Sequence, residues 1–218
     1  MPNKAKNNTL IVFAKLPEPG KVKTRLARDL GDEKAAEIYS DIASDIISRV
    51  SKSSKYETFI YYDPPEKKNQ IALWLKDCAN MDSGHLFPQK GDKLGDRISG
   101  AFERVFSSGN KRVVIIGTDC TDVSTNMIEE TFLELRDFDA VLGPAQDGGY
   151  YLLGLKQFVP ELFQDIDWST ELVLEQTISR LDNLGLNYKP LETLRDLDNL
   201  NDLNNLSYDF ERRKEKSI

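Results

Sequence analysis

The sequence predicts an α/β protein with a mainly parallel mixed sheet, on three observations. Val113, Val114, Ile115 and Ile116 form an unbroken β-branched run, the mark of a strand buried on both faces. Strand-like apolar stretches alternate with helical stripes through the first two-thirds of the chain. The alternation breaks once, where two short strands flank residues 144–149. That break points to an antiparallel excursion late in the fold.

Taken in order, residues 9–15 (Thr-Leu-Ile-Val-Phe-Ala-Lys) read as the first buried strand. Pro17, Pro19 and Gly20 then force a loop over 16–22. Gly31 and Asp32 open a long helix over 33–50, with Ala35, Ile38, Ile42, Ile46 and Val50 on one face. Residues 57–63 form a second strand. Pro64-Pro65 ends it and starts a helix to about residue 76 that turns Ile71, Trp74 and Leu75 inward. A short strand over 85–89 precedes a helix over 92–106 with Leu94, Ile98, Ala101, Phe102 and Val105 as its stripe. The strand 113–116 is followed by a helix over 126–136, capped by Ser124. Strands at 139–143 and 150–155, a helix at 170–184 and a strand at 186–191 complete the core. Leucines at 197, 200, 203 and 206 fit a short helical segment packed along one edge.

The chain has 218 residues, enough for one sizeable core, so a single domain over 1–218 is expected, with 1–8 and 211–218 frayed. A net charge of −7 argues against a nucleic-acid partner, since no global positive field would attract phosphate backbones. Two cysteines, Cys78 and Cys120, supply neither a disulfide framework nor metal-ligand spacing, and read as reduced thiols of a cytoplasmic protein. One histidine, His85, makes a zinc site of the usual type implausible. No apolar run approaches the ~20 residues of a membrane span.

Four stretches could carry chemistry. The strand 113–116 stops at Gly117-Thr118 and delivers Asp119, then Asp122. In open α/β sheets ligands bind beyond the carboxyl ends of strands, so a carboxylate there suits Mg²⁺ or Mn²⁺ held against phosphate oxygens, or else a helix cap. The loop after the first strand carries Lys15, Lys21, Lys23, Arg25 and Arg28 against one acid, Glu18. At that strand end such cations can hold a di- or triphosphate, although the loop is neither a P-loop nor a Gly-x-Gly-x-x-Gly fingerprint. The turn from Gln89 to Arg97 contains Gly91 and Gly95, which could let the backbone approach a base or sugar, or could serve a plain turn capped by Asp92. In Gly143-Pro-Ala-Gln-Asp-Gly-Gly-Tyr-Tyr151, Asp147, Gly148 and Gly149 could hold an acceptor or sugar, or form a tight turn. Trp168-Ser169-Thr170, at a helix start, could cap that helix or line a pocket. Asp196, Asp198 and Asp202 cluster after the last strand, and one of them could complete a metal site that Asp119 alone cannot make.

These motifs together resemble one family. Residues 13–26, Gly117-Thr-Asp-Cys120, Gly143 to Tyr151 and Trp168-Ser-Thr170 look like the bacterial GT-A proteins called transferase 1 of radical-SAM/selenodomain neighbourhoods, also labelled glycosyltransferases of arsenosugar biosynthesis. Lys23-Thr-Arg-Leu26 is also similar to the Lys-Ser/Thr-Arg-Leu of 2-phospho-lactate guanylyltransferases. Asp196-Leu-Asp-Asn-Leu-Asn-Asp-Leu203 is similar to the Asp-x-Asp-Thr-Pro-Glu-Asp-Leu ending of many cytidylyltransferases, with Asn199 in place of Thr. The resemblance implies a GT-A fold of the nucleotide-diphospho-sugar transferase superfamily. It implies Mg²⁺ or Mn²⁺ on Asp119 and Asp198, with phosphates on Lys23 and Arg25. The expected activity is glycosyl transfer from a nucleotide sugar to a small-molecule acceptor, with Asp147 positioning or deprotonating a hydroxyl. The alternative is nucleotidyl transfer from a nucleoside triphosphate to a phosphorylated small molecule, and a non-catalytic nucleotide-binding protein is the third reading.

Overall fold

The computed structural model describes residues 7–76, 78 and 83–205. Residues 1–6 and 211–218, expected to be frayed, and Leu206 lie outside the described residues. Seven strands make one mixed sheet: β1 (Asn8–Lys15), β2 (Glu57–Asp63), β3 (Leu86–Pro88), β4 (Arg112–Ile116), β5 (Ala140–Pro144), β6 (Tyr150–Leu155) and β7 (Tyr188–Pro190). Their spatial order is β3-β2-β1-β4-β6-β5-β7. β1, β2, β3 and β4 run parallel, β6 runs antiparallel to both β4 and β5, and β5 pairs with β7 in parallel. The single reversed strand is the excursion that the two short strands around residue 147 predict. β1 begins at Asn8, and the Asn7 carbonyl accepts from the Lys111 and Arg112 N–H groups.

Among the described residues seven α-helices accompany the sheet: α1 (Thr24–Leu30), α2 (Asp32–Val50), α3 (Lys68–Trp74), α4 (Leu94–Ser107), α5 (Thr125–Glu134), α6 (Val173–Asn183) and α7 (Leu200–Asn205). Alternation along each strand divides the core into two layers. Leu10 and Val12 of β1 and Val114 and Ile116 of β4 pack with Ile38, Ile42 and Ile46 of α2 and with Ile128 and Phe132 of α5. Ile11, Val113 and Ile115 face the other way, onto Ile98, Phe102 and Val105 of α4 and Leu181 of α6. Each fully buried Ile or Leu contributes about 1.5–3 kcal/mol relative to exposure. Such burial explains why the β-branched run at 113–116 is apolar on both faces.

The sequence reading misses α1 and runs several helices past their observed ends. Only Leu26 of α1 is buried, so seven residues leave no periodic stripe to detect. The helix expected from 92 starts at Leu94, where Asp96 accepts from the Lys93 N–H at 3.2 Å, so Asp96 rather than Asp92 satisfies that end. Leu94 itself is 40% exposed and is not part of the core stripe. Residues 170–172, expected to be helical, form a turn in which Thr170 Oγ1 accepts from the Leu172 N–H. Ser124 caps α5 as expected, accepting from the Met127 N–H at 3.2 Å.

One polar clasp joins β5 to β7. Asp139 Oδ2 accepts from the Asn187 N–H at 2.9 Å, Asn187 Oδ1 accepts from the Asp139 N–H at 2.8 Å, and Asp139 Oδ1 pairs with Lys156 at 2.8 Å. Burial alone would raise the Asp139 pKa, but the Lys156 and Asn187 contacts outweigh it and hold the carboxyl below its ordinary range. A depressed carboxyl pKa adds stability above the unfolded-state pKa and loses it as pH falls through the folded one. Asp139→Ala is therefore expected to cost about 1–2 kcal/mol at pH 7 by urea denaturation. That difference should shrink below about pH 4, the ordinary carboxylate range. An equal loss at pH 7 and pH 3 would contradict this account.

Candidate functional site

From β1 the chain crosses to β2 and β3 on one side, then returns to β4 on the other. The gap between the carboxyl ends of β1 and β4 is thus a topological switch point, where the connecting loops diverge and leave a crevice. A cleft of about 1170 Å³ opens there.

Tyr39 of α2 braces the two strand ends. Its hydroxyl accepts from the Lys15 N–H at 2.9 Å and lies 3.0 Å from Thr118 Oγ1, which in turn donates to the Phe13 carbonyl at 3.4 Å. Burial, reinforced by the Asp119 charge, pushes the Tyr39 phenol up to about 12, so it stays a neutral hydroxyl. Sequence reading counts this residue only within an amphipathic helix. Tyr39→Phe would leave the Lys15 N–H without its acceptor, at an expected cost of about 1–3 kcal/mol in thermal unfolding. A melting temperature unchanged within about 1 °C would refute that bracing role.

The loops beyond these ends bring opposite charges together. Lys23 Nζ contacts Asp119 Oδ1 and lies 3.4 Å from Asp198 Oδ1, while Arg25 Nη1 lies 3.4 Å from Asp198 Oδ2. The Lys23 side chain is 4% exposed, against 70% for Arg25. Burial by itself would lower the Lys23 pKa, yet Asp119 and Asp198 outweigh it and hold the ammonium above its ordinary value. Asp119 and Asp198, 79 residues apart, thus meet around one cation, and Lys15 and Lys21 line the same wall.

The acidic residues after β7 sort into three roles. Asp202 Oδ2 accepts from the Asp198 and Asn199 N–H groups at 3.0 Å each, and Asn199 Oδ1 accepts from the Asn201 and Asp202 N–H groups. These bonds cap α7, a task Asn performs as well as Thr. Asp198 is left to face Lys23 and Arg25. Asp196 accepts from the Cys120 thiol at 2.5 Å. Burial pushes the Asp196 carboxyl up to about 6. The Cys120 hydrogen bond and Lys23 pull it down, while Asp147 and Asp119 add to the rise. Burial, and then Asp196, raise the Cys120 thiol, so it is an un-ionised packing and donor group. Asp122 is exposed and does not line the cleft.

The cleft is also lined by Asp147, Gly149, Tyr150 and Trp168. Asp147 Oδ1 accepts from the Gly149 N–H at 2.8 Å, closing its own turn. Trp168 meets Tyr150 edge to face, with ring centroids 6.5 Å apart. The glycines expected to admit a ligand make room for the protein itself. A Cβ on Gly95 would lie 2.2 Å from Trp168 Nε1, one on Gly148 would lie 2.2 Å from the Glu171 carbonyl oxygen, and one on Gly91 would lie 2.6 Å from the Asp96 Cβ. None of the three lines the cleft. Gln89 does line it, but its amide Nε2 donates to the Tyr61 carbonyl at 2.9 Å and so also fastens β2. Arg97, which the motif reading passes over, reaches the cleft while held by Asp63 at 3.3 Å and by the Gly91 carbonyl.

The residues present fit a hard divalent cation in one respect. Two carboxylates converge on one point, oxygen donors suit Mg²⁺ or Mn²⁺, and substrate phosphates commonly complete such a site. Among the described residues no group of three His, Cys, Asp or Glu could hold a metal unaided.

A mixed sheet in this order, with its crevice between β1 and β4, is the nucleotide-diphospho-sugar transferase fold. A solved structure from Desulfovibrio desulfuricans G20, provisionally designated a nucleotide-diphospho-sugar transferase, is 31% identical, with a TM-score of 0.84 over 97% of this chain and 96% of that one. The fold recurs in CMP:2-keto-3-deoxy-manno-octonic acid synthetase complexed with CTP, at 10% identity and a TM-score of 0.58 over 97% of this chain and 99% of that one. It recurs again in 4-diphosphocytidyl-2C-methyl-D-erythritol synthase from Anaerococcus prevotii DSM 20548, at 9% identity and 0.57 over 90% and 93%. The chain belongs to the DUF2064 family, described as an uncharacterized protein conserved in bacteria, whose model matches residues 46–170. No curated protein matches the chain. Among the described residues no helix is long and apolar enough to cross a membrane.

Proposed function

We propose that this protein is a nucleotide-dependent transferase that moves a glycosyl group from a nucleotide-sugar donor to a small-molecule acceptor with help from Mg²⁺ or Mn²⁺. One observation carries the reading: one cleft is lined both by the cation-and-carboxylate cluster and by Asp147, Tyr150 and Trp168. Lys15, Lys21 and Arg25 would hold the diphosphate, and Arg25 is open enough to do so. Asp119 and Asp198 would hold the metal, which when bound neutralises the departing nucleoside diphosphate. Trp168 and Tyr150 offer ring faces and edges to a sugar, and Asp147 Oδ2 orients or deprotonates the acceptor hydroxyl. Asp196, its carboxyl pushed up to about 6 by burial, is a second candidate proton acceptor in the same cleft. The resemblance to transferase 1 of radical-SAM neighbourhoods supports glycosyl transfer, as does the designation of the 31%-identical relative.

A specific observation favours nucleotidyl transfer as the second reading. The cationic wall of Lys15, Lys21, Lys23, Arg25 and Arg97 has more positive charge than a sugar diphosphate needs, and two carboxylates from distant loops suit a triphosphate-bound metal. Titration calorimetry with Mg²⁺ and Mn²⁺, comparing nucleoside triphosphates with nucleotide sugars, separates the two. Metal-dependent preference for a nucleotide sugar is expected. Preference for one triphosphate, with pyrophosphate released in the presence of a phosphorylated acceptor, would replace glycosyl with nucleotidyl transfer. Binding of neither class would reject both.

A further inference from the structure

We propose that the Lys23 ammonium is the resident cation of the Asp119–Asp198 pair: it holds the two carboxylates together in the nucleotide-free protein and yields that place to a divalent cation when nucleotide binds. The inference rests on the metal reading above and adds a competitor to it.

Three features converge on Lys23. Its ammonium is the point that both carboxylates reach, contacting Asp119 and lying 3.4 Å from Asp198. Two carboxylates brought together without a counter-ion would repel each other and one would take up a proton. With Arg25 also 3.4 Å from Asp198, two cations balance the two carboxylates, so a divalent cation gains the pair only by displacing Lys23 from it. The second feature is the backbone. Lys23 sits at φ 45°, ψ 46°, in the left-handed region, immediately before α1. For a non-glycine residue this costs about 1–2 kcal/mol, and such outliers persist where surrounding contacts over-determine them. Here the ion pairs supply that over-determination and hold the side chain inward. The third feature is the asymmetry of exposure. Asp119 and Asp198 side chains are 49% and 36% exposed, so a cation from solution reaches their outer oxygens. Lys23 approaches the same pair from the protein side.

The cluster is therefore poised between two arrangements. Without nucleotide, Lys23 neutralises the carboxylates. With a phosphate-bound divalent ion on the carboxylates, Lys23 loses those partners. Its flexible four-carbon stem can turn the ammonium onto the phosphate beside it, which restores the charge balance. The competition would make metal binding weak in the absence of nucleotide and strong in its presence.

The test is Mn²⁺ binding, followed by the electron paramagnetic resonance of the free ion, on nucleotide-free protein. Wild type, Lys23→Met, Lys23→Gln and Asp119→Asn are compared, with circular dichroism confirming that each is folded. At least tenfold tighter Mn²⁺ binding is expected in both Lys23 variants, and none in Asp119→Asn. In the same variants a nucleoside diphosphate should bind about tenfold more weakly in the presence of Mn²⁺, because its phosphate has lost a cation. Equal or weaker Mn²⁺ binding in the folded Lys23 variants, with Asp119→Asn still abolishing it, would overturn the competition while leaving the metal reading standing. Absence of saturable Mn²⁺ binding in every protein, even with nucleotide added, would overturn both. The Gln variant, with a polar tip for the carboxylates, carries the comparison if the Met variant does not fold.

Discussion

Asp119→Ala is expected to lower kcat/KM on the order of 10³-fold while leaving the fold intact, the size typical of removing a group that neutralises developing charge. Two effects combine. On the proposed reading Asp119 would supply one of two oxygen ligands at the switch point, so a divalent cation would lose half of its protein anchor. Lys23 also loses its closer partner, and its ammonium is drawn toward Asp198 alone. The cost in stability should be about 1–3 kcal/mol, because Asp119 is half exposed but the buried Lys23 ammonium then keeps only Asp198, 3.4 Å away. The contrast that isolates the effect is Asp122→Ala. It removes the same group three residues further on, from an exposed position outside the cleft, and is expected to change neither activity nor stability. Single-turnover kinetics together with thermal melts make the comparison. Activity of Asp119→Ala within about threefold of wild type would remove the basis for a metal at this site.

The second large effect is structural. Gly148→Ala is expected to destabilise the protein by about 3 kcal/mol. Gly148 has φ +88°, where an L-residue pays about 1–2 kcal/mol. Its Cβ would lie 2.2 Å from the Glu171 carbonyl oxygen and 2.6 Å from the Glu171 Cα. Those are backbone atoms, which cannot swing aside as a side chain can, so overpacking adds about 1–3 kcal/mol. The neighbouring Gly149→Ala is the control. Its Cβ would meet only the Asp147 carboxylate oxygen, at 3.2 Å, and a small rotation of that side chain relieves the contact. Urea denaturation should separate the two variants by at least 1.5 kcal/mol. Equal losses would mean that the close approach of residues 148 and 171 is relaxed in solution. The Gly148 N–H and carbonyl also bond to the Ala145 carbonyl and the Leu174 N–H, so Gly148→Ala should also loosen the start of α6.

Strand and helix content was legible because burial imposes period on sequence. The run at 113–116 is apolar throughout because α5 covers one face and α4 the other, and α2 shows its stripe because nine of its residues are buried. α1 was illegible because one buried leucine in seven residues makes no period. Gly91, Gly95 and Gly148 stood out as sites of close approach, and the approach is real. Its object is this chain's own Asp96, Trp168 and Glu171, which lie up to 73 positions away in sequence and could not be named from a turn pattern.

The candidate site divides in the same way. Strand ends are readable because a buried run must stop where its backbone leaves the sheet, so Asp119, Lys15 and the basic loop could be placed at the carboxyl ends of β1 and β4 from residue order alone. Local chemistry likewise made Ser124 a cap and left Asp147 beside its glycines. The resemblance points to Asp198 as the partner of Asp119, but the residue pattern by itself leaves Asp196, Asp198 and Asp202 open. All three are acids within seven residues of one another, and their division of labour depends on Asn199 capping α7, Cys120 meeting Asp196 and Lys23 reaching Asp198. Those contacts join segments 76 and 175 residues apart, and only the closed sheet brings them within hydrogen-bond reach. Tyr39 shows the same limit. Its spacing on α2 is that of a core residue, and its hydroxyl braces two strand ends because tertiary packing delivers Lys15 and Thr118 to it. Sequence alone determined the elements and the chemistry available at their ends, because periodicity and turn formation are local. Tertiary structure decided which charges meet, because Coulombic and hydrogen-bonding partners act over a few ångströms of space, whatever their separation along the chain.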